Sequence, residues 1–366
     1  MYRPFGEILK KEVNVPIILA GRMENPDIAV EALGKSCDIV EYGRQLLADP
    51  DYPEKLRMDR LKEVRPCLGC HEGCLGRISK GPISCAVNPA CGRESIYGIT
   101  PAMKKKQVLI IGGGVAGCES ARVAALRGHK VTLVEKSDRL GGNLIPGGMP
   151  SFKHYDHDLV TWYEHQLKLL NVDVQLNKEL SVEQIRNSDN DVIITATGSK
   201  PIVLRQEKLK KAVVADDVLM GRVHVGDQVV IIGGGLVGCE TGLWLAQKGK
   251  QVTIIEMQKE ILGGPHGMPF MNYSMLTDLM KYHHMQVLTN TMVEEVKDDS
   301  VTVVQNGIAS TLSADTVISA VGYKSENTLY EAIRDLNKPV YNIGDSNQVH
   351  NIMYAIWNAY EIVRNI

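Results

Sequence analysis

The chain has 366 residues, a formal net charge of −2 and a charged fraction of 23%, a composition with room for two or three domain cores that excludes a disordered or fibrous chain. No long basic block offers the footprint that nucleic acid or an anionic membrane needs, and nowhere do about 18 apolar residues run together as a membrane span requires. The N-terminus MYRPFGEILKKEV has no apolar core of signal-peptide length, so small-molecule partners and a cytoplasmic location are expected.

Residues 1–58 contain two short apolar runs, PIILAG and DIVEYG, which read as strands separated by a helical PDIAVEALGKS. Gly21 and Arg22 follow the first run, and Gly43 and Arg44 follow the second. Residues 59–104 are different in texture. Eight cysteines would be unusual as disulfides in a reducing compartment, and four of them crowd together here: Cys67, Cys70, Cys74 and Cys85, spaced C-x2-C-x3-C-x10-C. Three close thiolates on a loop can hold three corners of a cubane while a fourth arrives from further along, and soft sulfur suits iron–sulfur chemistry. Zinc is the main rival, although structural zinc usually takes two paired knuckles rather than a triplet plus a single. Uncoordinated thiols are the third reading. Cys37, Cys91, Cys118 and Cys239 read as structural. His154 with His157, and His283 with His284, lack cysteine or carboxylate company at ligand spacing. TPAMKKK reads as a linker.

The strongest organisational feature is an internal repeat. GGGVAGCE beginning at Gly112 recurs as GGGLVGCE beginning at Gly233, with Glu135 and Glu256 placed alike after each. Each unit opens on an apolar strand, passes through the glycine-rich turn into a helix closed by Gly128 or Gly249, and returns as VTLVE or VTIIE. Gly112, Gly114 and Gly117, and again Gly233, Gly235 and Gly238, form G-x-G-x-x-G between strand and helix. Glycine is needed there for the tight turn, for approach of backbone to a pyrophosphate and for close helix packing. The distal acids can accept hydrogen bonds from ribose hydroxyls. Two such units suit an enzyme holding two dinucleotides. Glu256 would repel a 2′-phosphate and no arginine follows it, which favours NADH over NADPH, although Lys259 is near. No C-x-x-C lies in the second unit, which argues against a dithiol relay.

The order of these units resembles that of the two-dinucleotide flavoprotein reductases. The resemblance implies FAD in the first unit, with Gly112, Gly114, Gly117 and Glu135 joined by Gly142 and Asn143 of LGGN, Gly198 of ATGS, and Gly344 and Asp345 of NIGD. It implies NAD in the second, with Gly233, Gly235, Gly238, Glu256 and Gly322 of SAVGY. A helix beginning near Asn351 would then aim its positive end at the flavin. AGRMENPD, YGRQLLADPDYPEK and RPCLGCHEGC with SCAVNP further resemble the last barrel strands and cluster loop of the 2,4-dienoyl-CoA reductase, enoate reductase and trimethylamine dehydrogenase group, Old-Yellow-Enzyme-type barrels fused to such a reductase. This resemblance covers essentially the whole chain. It implies a [4Fe–4S] cluster on the four cysteines and an FMN phosphate held by Arg22, Gly43 and Arg44.

The expected fold is α/β: a remnant of a (β/α)8 barrel at 1–58, a cluster segment and linker at 59–104, an FAD domain at 105–201 and 323–366, and an NAD(P) domain inserted at 202–322. About six barrel strands and the enoyl-protonating residues of the family are missing. FMN is therefore expected only if another polypeptide completes the barrel, and no catalytic acid or base can be named. The expected path runs from NADH through FAD to the cluster, and in relatives onward to FMN and a conjugated C=C bond. A diaphorase with a vestigial cluster and a non-catalytic fragment or subunit are the alternatives.

Overall fold

The computed structural model describes residues 2–78 and 81–366. Its centre is a five-stranded parallel sheet in the order Val340–Asn342, Val192–Thr195, Gln107–Ile111, Lys130–Val134, Asp173–Gln175. The middle strand is QVLII, buried at four of its five positions, as a strand covered on both faces must be. Helix Val115–Leu126 runs back along it and is buried from Ala116 to Ala124. Its small residues let it sit between the sheet and two further helices, His154–Leu169 and Ile352–Val363. Glu119 and Arg122 are buried with it, paired through both carboxylate oxygens at 2.7 and 2.9 Å, and Tyr163 donates to Glu119 at 3.1 Å. This network satisfies charges that would otherwise be costly to enclose.

The second glycine-rich unit has a second five-stranded parallel sheet, ordered Gln286–Leu288, Gln251–Ile255, Gln228–Ile232, Thr316–Ser319, Val213–Val214. Inserted before its fourth strand is an antiparallel meander, Thr291–Val296, Ser300–Gln305 and Ile308–Ser313. The hairpin between its last two strands turns at Asn306 and Gly307, both with positive φ (51° and 79°), the backbone a type I′ turn demands. The chain enters and leaves this part of the molecule along a two-stranded antiparallel ribbon in which Ser199–Pro201 pairs with Tyr323–Ser325.

At the other end, Ile18–Ala20 and Ile39–Glu41 form a two-stranded parallel sheet. Helix Pro26–Ala32 joins them, capped by Asn25. It is shorter than its apolar pattern suggested, because Leu33 leaves the helix and bridges to Cys37. A small core of Leu19, Met23, Ala32 and Cys37 holds this unit, while Phe5, Ile8, Ile18, Val30 and Ile39 are exposed. The cysteine-rich segment lies between it and the first sheet. Gln45 ties the segment to the N-terminal unit through the Arg65 carbonyl and the Cys67 amide. Trp162, Trp357 and Tyr360 tie it to the sheet's helices through the carbonyls of Glu63, Cys85 and Tyr97. No helix among the described residues is long and apolar enough to cross a membrane.

Candidate functional site

Three clusters of sequence-predicted residues are built by this scaffold. In the first glycine-rich turn, Gly112 has φ 108°, and a Cβ there would lie 2.2 Å from the Ala196 carbonyl oxygen. A Cβ on Gly117 would lie 1.9 Å from the carbonyl oxygen of Gly112. Gly114 is the opposite case: a Cβ would meet nothing within 4 Å. Two glycines thus make the turn and its packing possible, and the third leaves open space at the amino end of a 12-residue helix, the position where backbone amides and the helix dipole favour phosphate. Glu135 accepts hydrogen bonds from the Gly113 amide at 2.6 Å and from the amide and hydroxyl of Ser137 at 2.8 and 2.7 Å.

The other first-unit residues gather near this turn. Gly142, at φ 53°, brings its chain to within 3.1 Å of the Gly114 Cα for a Cβ built upon it. Asn143 donates to the Ser199 hydroxyl at 3.1 Å, and that hydroxyl donates to Asp345 at 2.9 Å. The other oxygen of Asp345 accepts from the His350 amide at 3.2 Å. Gly198 and Gly344 both have positive φ, 72° and 62°. Helix Ile352–Val363 begins just beyond, with Asn351 as its cap. Ser199 closes the ATGS motif, but sequence reading gave it no part in this link between Asn143 and Asp345.

The second unit repeats the backbone geometry of the first. Gly233 has φ 109°, a Cβ on Gly238 would lie 2.0 Å from the Gly233 carbonyl oxygen, and Gly235 faces open space. Glu256 accepts from the amides of Gly234 and Gln258, each at 2.7 Å. Cys118 and Cys239, at matching positions, donate their thiols to the Gly113 and Gly234 carbonyls, which gives the shared cysteine of the repeat a packing role. Gly322, at φ 102°, sits where the chain leaves this unit.

Cys67, Cys70, Cys74 and Cys85 line one pocket. The loop that carries the first three meets the fourth at Gly73, where a Cβ would come within 2.9 Å of the Cys85 backbone. The amide and hydroxyl of Ser84 both donate to the Gly73 carbonyl at 2.8 Å. Burial pushes the thiols of Cys70 and Cys85 up to about 12, with Cys67 close enough to add to it. The amides of Val87 and Asn88 work in the opposite direction by hydrogen bonding to the Cys85 sulfur. Such amide-to-sulfur bonds and a bound cation would together stabilise thiolates that the pocket alone keeps protonated. Four cysteines lining one pocket are the donor type an iron–sulfur cluster takes, although among the described residues no three such side chains are gathered around a single-ion position.

Arg22 and Arg44 reach the same loop from the N-terminal unit. Arg22 donates to the Cys67 carbonyl at 3.3 Å, pairs with Glu24 at 3.0 Å and stacks over Tyr155 at 3.8 Å. Arg44 donates to the His71 ring, and a Cβ on Gly43 would meet open space.

One further group had no signal in the sequence. Lys153 bridges Glu240, at 3.3 Å, and Asp156, at 3.7 Å, joining the first unit to the helix of the second glycine-rich turn. Burial raises both carboxyls; it would lower Lys153, but Glu240 and Asp156 outweigh it and hold the ammonium above its usual range. Lys153→Met leaves two partly enclosed carboxylates without their cation and is expected to destabilise the chain by about 1–3 kcal/mol. Adding Glu240→Gln should recover part of that loss, read as the urea midpoint of the single and double variants.

Residues 106–340 match the family model described as pyridine nucleotide-disulphide oxidoreductase. A cinnamate reductase of Clostridium sporogenes is 51% identical over 100% of this chain and 55% of its own length. An NADH oxidase of Thermoanaerobacter brockii is 35% identical over 99% of this chain and 57% of its own length. Among solved structures, a 2-naphthoyl-CoA reductase complex superposes with a TM-score of 0.93 at 33% identity, over 100% of this chain and 56% of that one. The chain thus spans little more than half the length of these relatives. The likeness to the enoate-reductase group drawn from the barrel-like and cysteine-rich segments is borne out by them, as is the α/β fold with two Rossmann-like units.

Proposed function

The chain belongs to the pyridine nucleotide-disulphide oxidoreductase family, and from that premise we propose that it is the reductase part of an iron–sulfur flavoenzyme, carrying electrons from NADH through FAD to a [4Fe–4S] cluster. The observation that carries this reading is the convergence of Cys67, Cys70, Cys74 and Cys85 on one pocket, in a chain that builds the same glycine-rich nucleotide turn twice. FAD supplies the step between a two-electron hydride donor and a one-electron cluster, which passes electrons on singly.

In this reading the chain's own residues bind and orient. Gly114 and Gly235 keep open the ground in front of two helix N-termini, where pyrophosphates would sit. Glu135 and Glu256 hold their turns in shape through Gly113 and Gly234 and present the remaining acceptor capacity to ribose hydroxyls. Charge at Glu256 disfavours a 2′-phosphate, so NADH is the proposed donor. Asn143, Ser199 and Asp345 form the hydrogen-bonded edge of the flavin site. Arg22, Gly43 and Arg44 would hold an FMN phosphate where further barrel strands meet the exposed apolar face of Ile18 and Ile39, in the same or another polypeptide. In cinnamate reductase and in 2-naphthoyl-CoA reductase the named acceptors are unsaturated acids or thioesters, and an acceptor of that class is proposed for the complete enzyme.

The test is a visible spectrum of the anaerobically purified chain, with iron and flavin assays, before and after one equivalent of NADH or NADPH. About four irons and one flavin per chain are expected, with flavin bleaching and loss of the broad cluster absorbance on NADH. Flavin without iron would leave a diaphorase. Flavin that neither nucleotide bleaches would leave a non-catalytic fragment.

A further inference from the structure

Among the described residues, the nicotinamide-side unit makes its polar contact with the cysteine loop at Asn272. Asn272 lies in the first turn of helix Phe270–Tyr282, far in sequence from the cysteines. Its side-chain oxygen pairs with the Nδ1 of His71, and its Nδ2 donates to the carbonyl of Cys70 at 3.3 Å. Beside it, a Cβ on Gly76 would press on Pro269 at 3.2 Å, so the loop and the start of the helix are in close contact. The other ring nitrogen of His71, Nε2, receives Arg44.

These partners determine the direction of every bond. A guanidinium can only donate, so His71 Nε2 accepts from Arg44 and its Nδ1–H donates to the Asn272 oxygen. The amide nitrogen of Asn272 is then free to donate to Cys70. The result is one polar line from the barrel-like unit, through the residue next to a cysteine of the pocket, to the nucleotide unit. His71 also holds a left-handed backbone, φ 59°, which is uncommon for a side chain with a Cβ. Its ring is fixed at both nitrogens, and the Gly76 amide donates to its carbonyl at 2.8 Å. The loop conformation beside Cys70, which lines the pocket, is therefore fastened by contacts from two other parts of the chain.

We infer that Asn272, acting through His71, is a positioning residue for the cluster ligand Cys70, so that the nucleotide unit completes the cluster site as well as feeding it electrons. This rests on the cluster reading above. Groups that orient ligands and hydrogen bond around them set both metal retention and redox behaviour.

The experiment compares anaerobically purified wild type, Asn272→Ala and Asn272→Asp for iron content and flavin bleaching by NADH. It also follows the electron paramagnetic resonance of the dithionite-reduced protein and the fraction of cluster reduced at one fixed potential. Asn272→Ala should lose iron or change the resonance line shape, while NADH still bleaches the flavin within about threefold of the wild-type rate. Asn272→Asp keeps the acceptor for His71 but not the donor to Cys70, so it should retain iron with a reduced-to-oxidised cluster ratio shifted about tenfold. Wild-type iron, line shape and reduced fraction in both variants would overturn the inference. A wild-type protein without iron would instead overturn the cluster reading on which it stands.

Discussion

Replacing Cys85 by serine is expected to strip iron from the protein while NADH continues to bleach the flavin. Cys85 lies outside the triplet and reaches the pocket only because the chain folds back at Gly73, with Ser84 bonded to the Gly73 carbonyl and Trp357 donating to the Cys85 carbonyl at 3.0 Å. Serine preserves that geometry, since its volume is similar and none of these contacts uses the sulfur. What it removes is a soft, ionisable ligand, leaving a hard hydroxyl that stays protonated in a buried site. Loss of a mere outer partner of a metal ligand costs about 10–100-fold in affinity, so loss of the ligand itself should lower iron retention by at least about 100-fold. Iron per flavin and an anaerobic NADH titration give the answer. Wild-type iron in Cys85→Ser would remove this residue from the ligand set and turn attention to Cys91, which is buried nearby in the same segment.

Alanine at Gly117 and at Gly114 should damage the protein in different ways although the residues are three apart. At Gly117 the new methyl would stand 1.9 Å from the Gly112 carbonyl oxygen, so helix and strand must separate. Overpacking of this kind costs about 1–3 kcal/mol, and each kcal/mol lowers the melting temperature by about 2–4 °C in a domain of this size. At Gly114 the methyl meets no protein atom within 4 Å, so the flavin-free protein should melt as the wild type does. The methyl occupies the ground a pyrophosphate must approach, and FAD affinity should fall at least tenfold, about 1.4 kcal/mol. Gly238→Ala and Gly235→Ala should reproduce the contrast for NADH while FAD stays bound. Melting curves of the flavin-free variants and flavin retention on dilution separate the two effects. Equal loss of stability at Gly114 and Gly117 would mean that Gly114 serves packing alone.

The parts of this molecule that depend on local rules were legible in the sequence. Gly112 and Gly233 are needed because their turns take a positive φ against a neighbouring carbonyl, and their spacing to Glu135 and Glu256 is fixed by strand and helix length. The strands at 18–20 and 39–41 were read from pattern in the same way, whereas the helix beginning near Asn351 came from the resemblance and its cap from the structure. The meander at 291–313 was within reach of the same reasoning, since Asn306-Gly307 between alternating runs is a hairpin signal, but it was not read. Lys153 with Glu240, and His71 with Asn272, were not legible. Each pair joins residues far apart in the chain whose meeting depends on how the inserted unit packs against the rest, and neither residue type has a spacing rule to announce it.

Pro201 and Tyr323 are register partners in the two-stranded ribbon, so the chain departs from the first unit and rejoins it at one point. The intervening segment is a cassette whose two ends already meet, which is the topology that tolerates excision, exchange or acquisition of a whole domain. The same arrangement sets the order of assembly during synthesis. Strand Val340–Asn342, at one edge of the first sheet, pairs with Val192–Thr195, so the ribosome must deliver the entire cassette before the earlier sheet can acquire its last strand. The later unit can therefore close first, and the earlier one waits, open along one edge, for the strand that follows the cassette.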